Sequence, residues 1–316
     1  MKITKILYLL FFIQVLFVSG QQNLDDFGRI ILNTYIPQNN NIPEEAQKYL
    51  ETKLNQMAAK NGMAGSELNP RFVLMAKINI GTKDIVSGPP QMISQNLDIT
   101  LFVGDAINNT LFSSVTISVK GVGANETKAY IDAFKSINPN DKNIAGFLEK
   151  GKKKIVDFYA SQCSFILQDA NALAKQKKYD EAIYTLSQIP TVCEDCYGKV
   201  KNLMSEIYQQ KIDVDCTAKY NQAKILWNTQ PKNKDEITAL LSEIDPQASC
   251  YSFVLMLSEE IKNKADEEEK TKLRLAMKKY NDKVNLEKKR IEAYREIAVE
   301  YARNQPEIIY NNINWR

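Results

Sequence analysis

The sequence predicts a two-part chain: a small α+β sheet domain, then an all-α run of helical repeats ending in a long C-terminal helix. Three observations predict it. Residues 163–265 carry an internal duplication; the apolar pattern changes near residue 160 from alternation to helical spacing; and residues 266–303 carry a heptad seam in a stretch dense in Glu, Lys and Arg. The expected boundaries are 1–20 for a leader, 21–160 for the α+β domain, 161–265 for two three-helix repeats of about 54 residues, and 266–316 for the long helix and a short aromatic tail.

Met1 to Gly20 opens with Lys2 and Lys5, continues with the apolar run ILYLLFFIQVLFV and closes on Ser19 and Gly20. That order describes a secretory signal peptide. The run is too short to cross about 30 Å of hydrocarbon as an anchor. Cleavage is expected near Gly20/Gln21, and no cysteine stands there to carry a lipid. No later stretch reaches 18 apolar residues, so the mature chain is expected to be soluble.

The α+β domain begins with a β-prone run, Arg29 to Ile36, broken by Pro37. Pro43 then opens a helix, because proline at the first helical position loses no needed donor. Its buried stripe is Ala46, Tyr49, Leu50, Leu54 and Met57. Phe72 to Ile80, Leu97 to Val103 and Leu111 to Val122 alternate as half-buried strands do. Gly121-Val122-Gly123 lacks a third glycine and any phosphate-binding context, so it is expected to be a turn. Helices are expected over Glu126 to Ile137 and Ile144 to about Tyr159. The order βαβββα(α) fits a small sheet with helices on one face.

In the duplication, Cys163 answers to Cys216, Ala170 to Ala223, Leu173 to Leu226, Leu186 to Leu241, Ile189 to Ile244, Cys196-Tyr197 to Cys250-Tyr251 and Ile207 to Ile261, at an offset of 53 to 55 residues. A fixed period marks units that bury their faces by stacking. Each unit reads as three helices. In the first copy Ile166, Ala170, Leu173 and Ala174 share one face; Tyr179-Asp180-Glu181-Ala182-Ile183 opens a second helix that Pro190 stops; a third starts near Tyr197.

Ala170 and Leu173 on the first helix, with YDEAI opening the second, resemble the tetratricopeptide repeat family over about 30 residues. The second copy has KDEIT at that place, and the period departs from that family's 34. The resemblance implies a tetratricopeptide-like helical repeat over residues 163–265, a protein-binding architecture. More weakly, FVLMAKINI, then DITLFVGD turning into TLFSSVTISVKGVG and a helix, resembles envelope-lipoprotein domains of the curli-assembly and penicillin-binding-protein-activator kind. That likeness covers residues 23–160 and implies an envelope setting, although the lipidated cysteine usual there is missing.

Leu273, Met277, Tyr280, Val284, Ile291, Tyr294, Ala298 and Tyr301 follow steps of 4 and 3, with Glu287 the one break. A helix of about 38 residues spans roughly 57 Å, and its seam suits either a cap along the repeats or a coiled coil, including one with a second copy. The tail IIYNNINWR is aromatic and β-prone and is expected to dock, a sheet edge of the first domain being one place for it.

Chemistry is sparse. The chain has no histidine, which removes Ser-His-Asp and Cys-His catalysis and His-ligated metals. Asp180, Glu181, Glu194 and Asp195 sit at helix starts, where the macrodipole favours negative charge. Glu267, Glu268 and Glu269 form a solvated helix start, with no glycine turn for calcium. Five cysteines remain: Cys163, Cys193, Cys196, Cys216 and Cys250. A redox CxxC (Cys193, Cys196) and a four-cysteine zinc site are alternatives. Duplication of a pair with its spacing favours structural disulfides Cys163–Cys196 and Cys216–Cys250, placed where the N-terminal ends of first and third helices lie side by side. Cys193 is left as a replacement partner or a free thiol.

A net charge of +3 over 316 residues and the lack of a basic-aromatic cluster argue against a nucleic-acid partner. No cofactor or metal is expected. The expectation is an exported, non-enzymatic scaffold or adaptor in the periplasm, the outer membrane's surroundings or the extracellular space, binding protein partners through its repeats. The alternative is an envelope assembly factor or enzyme activator acting through the α+β domain. Peripheral envelope association and a homo-oligomer through the C-terminal helix are further expectations.

Overall fold

The computed structural model describes residues 29–37, 42–65, 71–264, 267–281 and 286–305, together with Trp315. The expected leader, residues 1–20, falls outside these residues, as do 282–285 and the rest of the tail. The chain divides into two compact units: Met1–Gln162 with Pro190–Glu194 and Ala302–Arg316, and Cys163–Ile189 with Asp195–Tyr301.

The first unit is built on a four-stranded sheet in the order β1-β2-β3-β4 (Leu32–Tyr35, Phe72–Val86, Met92–Asp105, Thr110–Gly123). β1 lies parallel to β2, while β2, β3 and β4 form an antiparallel meander. The three long strands outrun the alternating stretches seen in the sequence. Extra length comes from the β2–β3 ribbon, which pairs out to Val86 and Met92 across a bulge between Ile80 and Lys83. Its exposed Ile85 and Val86 bury no face and so gave no alternation to read.

One sheet face is covered. α1 (Glu44–Lys60) packs on β1 and on α2 (Glu126–Ser136), and α2 lies along β4. Pro43 is the residue before α1, and Leu50, Leu54 and Met57 are fully buried. Asn125 caps α2, its side chain accepting from the Lys128 N–H at 2.9 Å. Gly121-Val122-Gly123, expected as a turn, is instead the last stretch of β4. Its glycines serve close packing: a Cβ at Gly121 would fall on the Ala129 carbonyl, and one at Gly123 on the Ala129 nitrogen. Ser113 Oγ donates to the Phe147 carbonyl, and Gly151 lies against Val103, so the first half of α3 (Lys142–Lys175) covers the same face.

The opposite face is polar over most of its area, presenting Lys77, Asn79, Asp98, Ser118 and Lys120 to solvent. At the end where β2 starts it is apolar. There Val73, Met75 and Phe102 receive the indole of Trp315, with Tyr35 and Ala106 around it. The tail residue thus docks on a sheet face and not at an edge. Gly104 makes the room, since a Cβ there would overlap the indole ring.

A buried ion pair closes the β3–β4 turn. Asp105 is fully buried and accepts from Arg71 Nε at 2.8 Å and Nη2 at 2.7 Å, while its other oxygen takes the Ile107 and Asn108 N–H groups. The guanidinium lies over Phe158 at 5.1 Å and over Phe72 and Tyr159 at 5.7 Å. Burial opposes its charge, but Tyr159 and Asp105 outweigh that and hold the Arg71 pKa above its ordinary value.

The second unit is helical. It holds the end of α3, then α4 (Tyr179–Ser187), α5 (Glu194–Thr229), α6 (Lys234–Ser242), α7 (Tyr251–Asn263), α8 (Glu267–Asn281) and α9 (Leu286–Arg303). Matching positions of the duplication are buried together: Ala170 with Ala223, Leu186 with Leu241, Ile189 with Ile244 and Ile207 with Ile261. One expectation is corrected. The third helix of the first copy and the first helix of the second are a single rod, α5, of 36 residues. Likewise the last helix of the sheet domain runs unbroken into the first helix of the duplication as α3. No proline or glycine turn stands at either junction, so nothing in the local chemistry ends those helices.

The heptad stretch appears as α8 and α9. Its seam turns inward within the unit: Leu273, Tyr294 and Ala298 are buried, Tyr294 meets Tyr208 at 5.4 Å and Tyr301 meets Tyr184 at 5.0 Å. Arg290 donates to the Gln247 side chain at 2.9 Å, fastening α9 to the loop before α7. The side chains of Tyr280, Val284 and Glu287 fall outside the described residues, and so does any continuity of the expected single helix through 282–285.

Candidate functional site

The cysteines form two bridges, Cys163–Cys196 and Cys216–Cys250, with Cα separations of 5.8 and 6.1 Å. Their placement differs from the expected one. Cys196 is in the first turn of α5 and Cys250 is the residue before α7, but Cys163 and Cys216 lie inside α3 and α5, because those helices began earlier than expected. α5 contributes one cysteine to each bridge, 20 residues apart and so about 30 Å along its axis. Cys193 is free and buried, its thiol within 4.0 Å of the Val156 carbonyl. Burial pushes that thiol pKa up, which keeps it protonated and a poor nucleophile or metal ligand at neutral pH.

Three of the carboxylates singled out in sequence are engaged by lysines. Asp180 pairs with Lys211 and Glu181 with Lys178, both acids in the first turn of α4. Glu269 meets Lys234; the side chains of Glu267 and Glu268 lie outside the described residues.

A groove lies between α7 and α8, with a volume of about 910 Å³. From α7 come Leu255, Ser258, Glu259 and Lys262; from α8 come Lys270, Arg274, Met277 and their neighbours, with Leu273 at the base. Both walls follow i, i+3, i+4, i+7 spacing, the ladder one helical face displays. The base is firm. Leu273 is 5 % exposed and belongs to a core with Cys216, Trp227, Leu241, Leu257 and Ile261, beside the Cys216–Cys250 bridge. Ser258 Oγ is already spent on the Val254 carbonyl at 2.8 Å, so the base is chemically apolar.

The rim is cationic. Among the described residues Lys262, Lys270, Arg274 and Lys278 line it with one carboxylate, Glu259, which Lys262 already holds at 2.9 Å. Arg274 and Lys278 make no ion pair among the described residues and stand one helical turn apart. Away from the groove's lining α7 also exposes Phe253 and Met256, and α8 exposes Leu275. The sequence carried a trace of this. The run YSFVLML has more large apolar residues than one buried stripe uses. Which helix would face it depended on the pairing of α7 with α8, a tertiary fact.

The sheet unit has a smaller recess, about 240 Å³, beside the bulge at Gly81. Asn96, Asp98, Ser118 and Lys120 line it, and Ser118 Oγ donates to Asp98 at 2.5 Å. Among the described residues no helix is long and apolar enough to cross a membrane. Comparison with protein-family models, with curated proteins and with solved structures gave no match.

Proposed function

We propose that the chain is an exported scaffold or adaptor that holds protein partners on its helical unit, a tetratricopeptide-like array of two repeats, in the cell envelope or the secreted space. The observation that carries this reading is the α7–α8 groove, an apolar base with a charged rim on a part of the chain pinned by the Cys216–Cys250 bridge. A preorganised concave surface loses little ordering entropy on binding. The two bridges support the compartment, because disulfides persist in oxidising surroundings outside the cytosol.

A second reading assigns partner binding to the sheet unit, as an envelope assembly factor or activator. Its support is the open polar face around Lys77, Asp98 and Lys120.

Photo-crosslinking separates the two. A crosslinker at position 255, on the groove wall, and another at position 77, on the sheet face, are compared in the intact producing cell. The adaptor reading expects a discrete protein adduct from position 255, lost when Met277 is changed to Glu. Adducts from position 77 alone would transfer the function to the sheet unit.

A further inference from the structure

We infer that the α7–α8 groove takes a short amphipathic helix whose apolar stripe is flanked by Asp or Glu, an inference that rests on the adaptor reading and names the chemistry of its partner. Shape selects a helix. The walls are two helix faces whose backbone groups are used within their own helices, so neither offers the unpaired edge that an added strand needs. A polyproline segment is received by aromatic-lined grooves, and the described residues lining this one include no aromatic ring. The ladders Leu255–Lys262 and Lys270–Met277 each span seven residue steps, about 10 Å of axis, which matches two turns of a docked helix.

The base selects an apolar stripe. Leu273, Met277 and Leu255 present methyl and thioether groups, and the Ser258 hydroxyl beside them has its hydrogen bond. A polar stripe laid there would lose water without finding partners, which is unfavourable. Met277 adds a flexible side chain that adapts to different apolar shapes.

Charge selects the flanks. Among the described lining residues Glu259 is the single acid and is held by Lys262, so a ligand meets the charges of Arg274 and Lys278. Arg274 and Lys278, at i and i+4, suit two carboxylates one turn apart on the incoming helix. A single-stranded nucleic acid would also answer the charge, but it needs aromatic platforms for its bases. Rim charges act mainly on the association rate and on the choice between partners, and their effect fades as salt rises.

The test uses the full chain and three fluorescent 14-residue peptides: a leucine stripe at i, i+3, i+4, i+7 flanked by Glu; the same stripe flanked by Lys; and the Glu peptide in scrambled order. Fluorescence anisotropy at low and high salt is expected to show the periodic Glu peptide binding, the scrambled and Lys peptides binding at least ten-fold more weakly, and the Glu peptide weakening as salt rises. R274E/K278E, two exposed changes outside the core, is expected to weaken the Glu peptide at least ten-fold and to strengthen the Lys peptide. L255E is expected to weaken both. Circular dichroism checks that each variant keeps its helix content.

Equal binding of Glu and Lys peptides, or of periodic and scrambled ones, overturns the inference. An R274E/K278E chain that keeps wild-type affinity for the Glu peptide does the same. Self-association of the chain that the Glu peptide fails to displace would put a second copy in the groove and also overturn it. If no peptide binds while position 255 still crosslinks a protein in the cell, the helix inference falls and the adaptor reading stands. If position 255 gives no adduct, the adaptor reading falls first.

Discussion

The two units are held together by different means. The sheet unit owns the largest fully buried side chains: Tyr130, Tyr159, Phe134, Leu50, Leu54 and Met57 head a core that needs no covalent help. The helical unit buries aliphatic side chains such as Ile183, Leu186, Ile207 and Leu241 together with small ones, among them Ala170, Ala174, Ala182 and Ala223, and has no aromatic ring among the largest fully buried side chains of the described residues. Its two disulfides tie α5 to α3 and to the residue before α7. Small residues let helices approach closely but remove little apolar area from water, and each buried methylene forgone costs about 0.8 kcal/mol. Cross-links restrict the unfolded chain and so recover stability without using apolar surface.

The molecule carries its own reporters for this contrast. It has two tryptophans, Trp315 in the sheet unit and Trp227 in the helical unit. W315F therefore leaves fluorescence that reads the helices, and W227F leaves fluorescence that reads the sheet.

The largest expected effect comes from removing both bridges. Loops of 33 and 34 residues are closed, and each closure contributes on the order of 3–4 kcal/mol in the chain-entropy picture. Changing all four bonded cysteines to Ser should unfold the helical unit or bring its Trp227 transition far down in urea. The Trp315 transition should barely move. Parallel movement of both reporters would show one cooperative body and would defeat the contrast.

Next in size is the mirror experiment on the sheet unit. Asp105→Ala leaves the Arg71 charge buried without its partner, a change that typically costs about 3–5 kcal/mol. The Trp315 transition should fall by that amount and the Trp227 transition should stay. Pairing Asp105→Asn with Arg71→Met keeps the turn's N–H acceptor and removes the orphaned charge, so it should recover much of the loss. Failure to recover would place the stabilisation in the turn and not in the ion pair.

A smaller effect is expected where the tail meets the sheet. Gly104→Val fills the space of the indole and should drive Trp315 into water. In a W227F background the emission should shift to the red, and the sheet unit should lose about 3 kcal/mol, the low end for losing a buried tryptophan's packing. Unshifted emission would mean that the indole keeps its seat by another route.

How much of this was legible in the sequence follows from how local each signal is. The strands announced themselves through alternation, and the four bonded cysteines through a duplicated spacing of 33 and 34. Helix ends were read less well, because the duplication suggested unit boundaries inside α3 and α5 where the backbone has no reason to stop. Gly121 and Gly123 read as a turn because their reason, contact with α2, lies in another element. Trp315 could be expected to dock, but its seat on Phe102 could not be read from nine tail residues. The groove needed α7 and α8 side by side.

The smallest expected effect is a pH dependence in the helical unit. Trp227 Nε1–H donates to Glu260 at 3.0 Å, and Lys264 reaches the same carboxylate at 3.3 Å while its ammonium lies over the indole at 5.2 Å. The hydrogen bond from Trp227, then that from Lys264, hold the Glu260 carboxyl below its ordinary range. A folded pKa below the unfolded one gives stability that is present above the unfolded value and is lost as pH falls through the folded value. Because Glu260 stands in solvent the contribution is minor, so it is better read locally than as a change in unfolding. Acid titration of the W315F chain should leave the Trp227 emission flat through the ordinary glutamate range and change it only below. Glu260→Gln, which keeps an acceptor for the indole but has no proton to take up, should abolish that step. A step unchanged by Glu260→Gln, or one centred within the ordinary range, would detach the Trp227 signal from Glu260 and leave the hydrogen bond without a role in its titration.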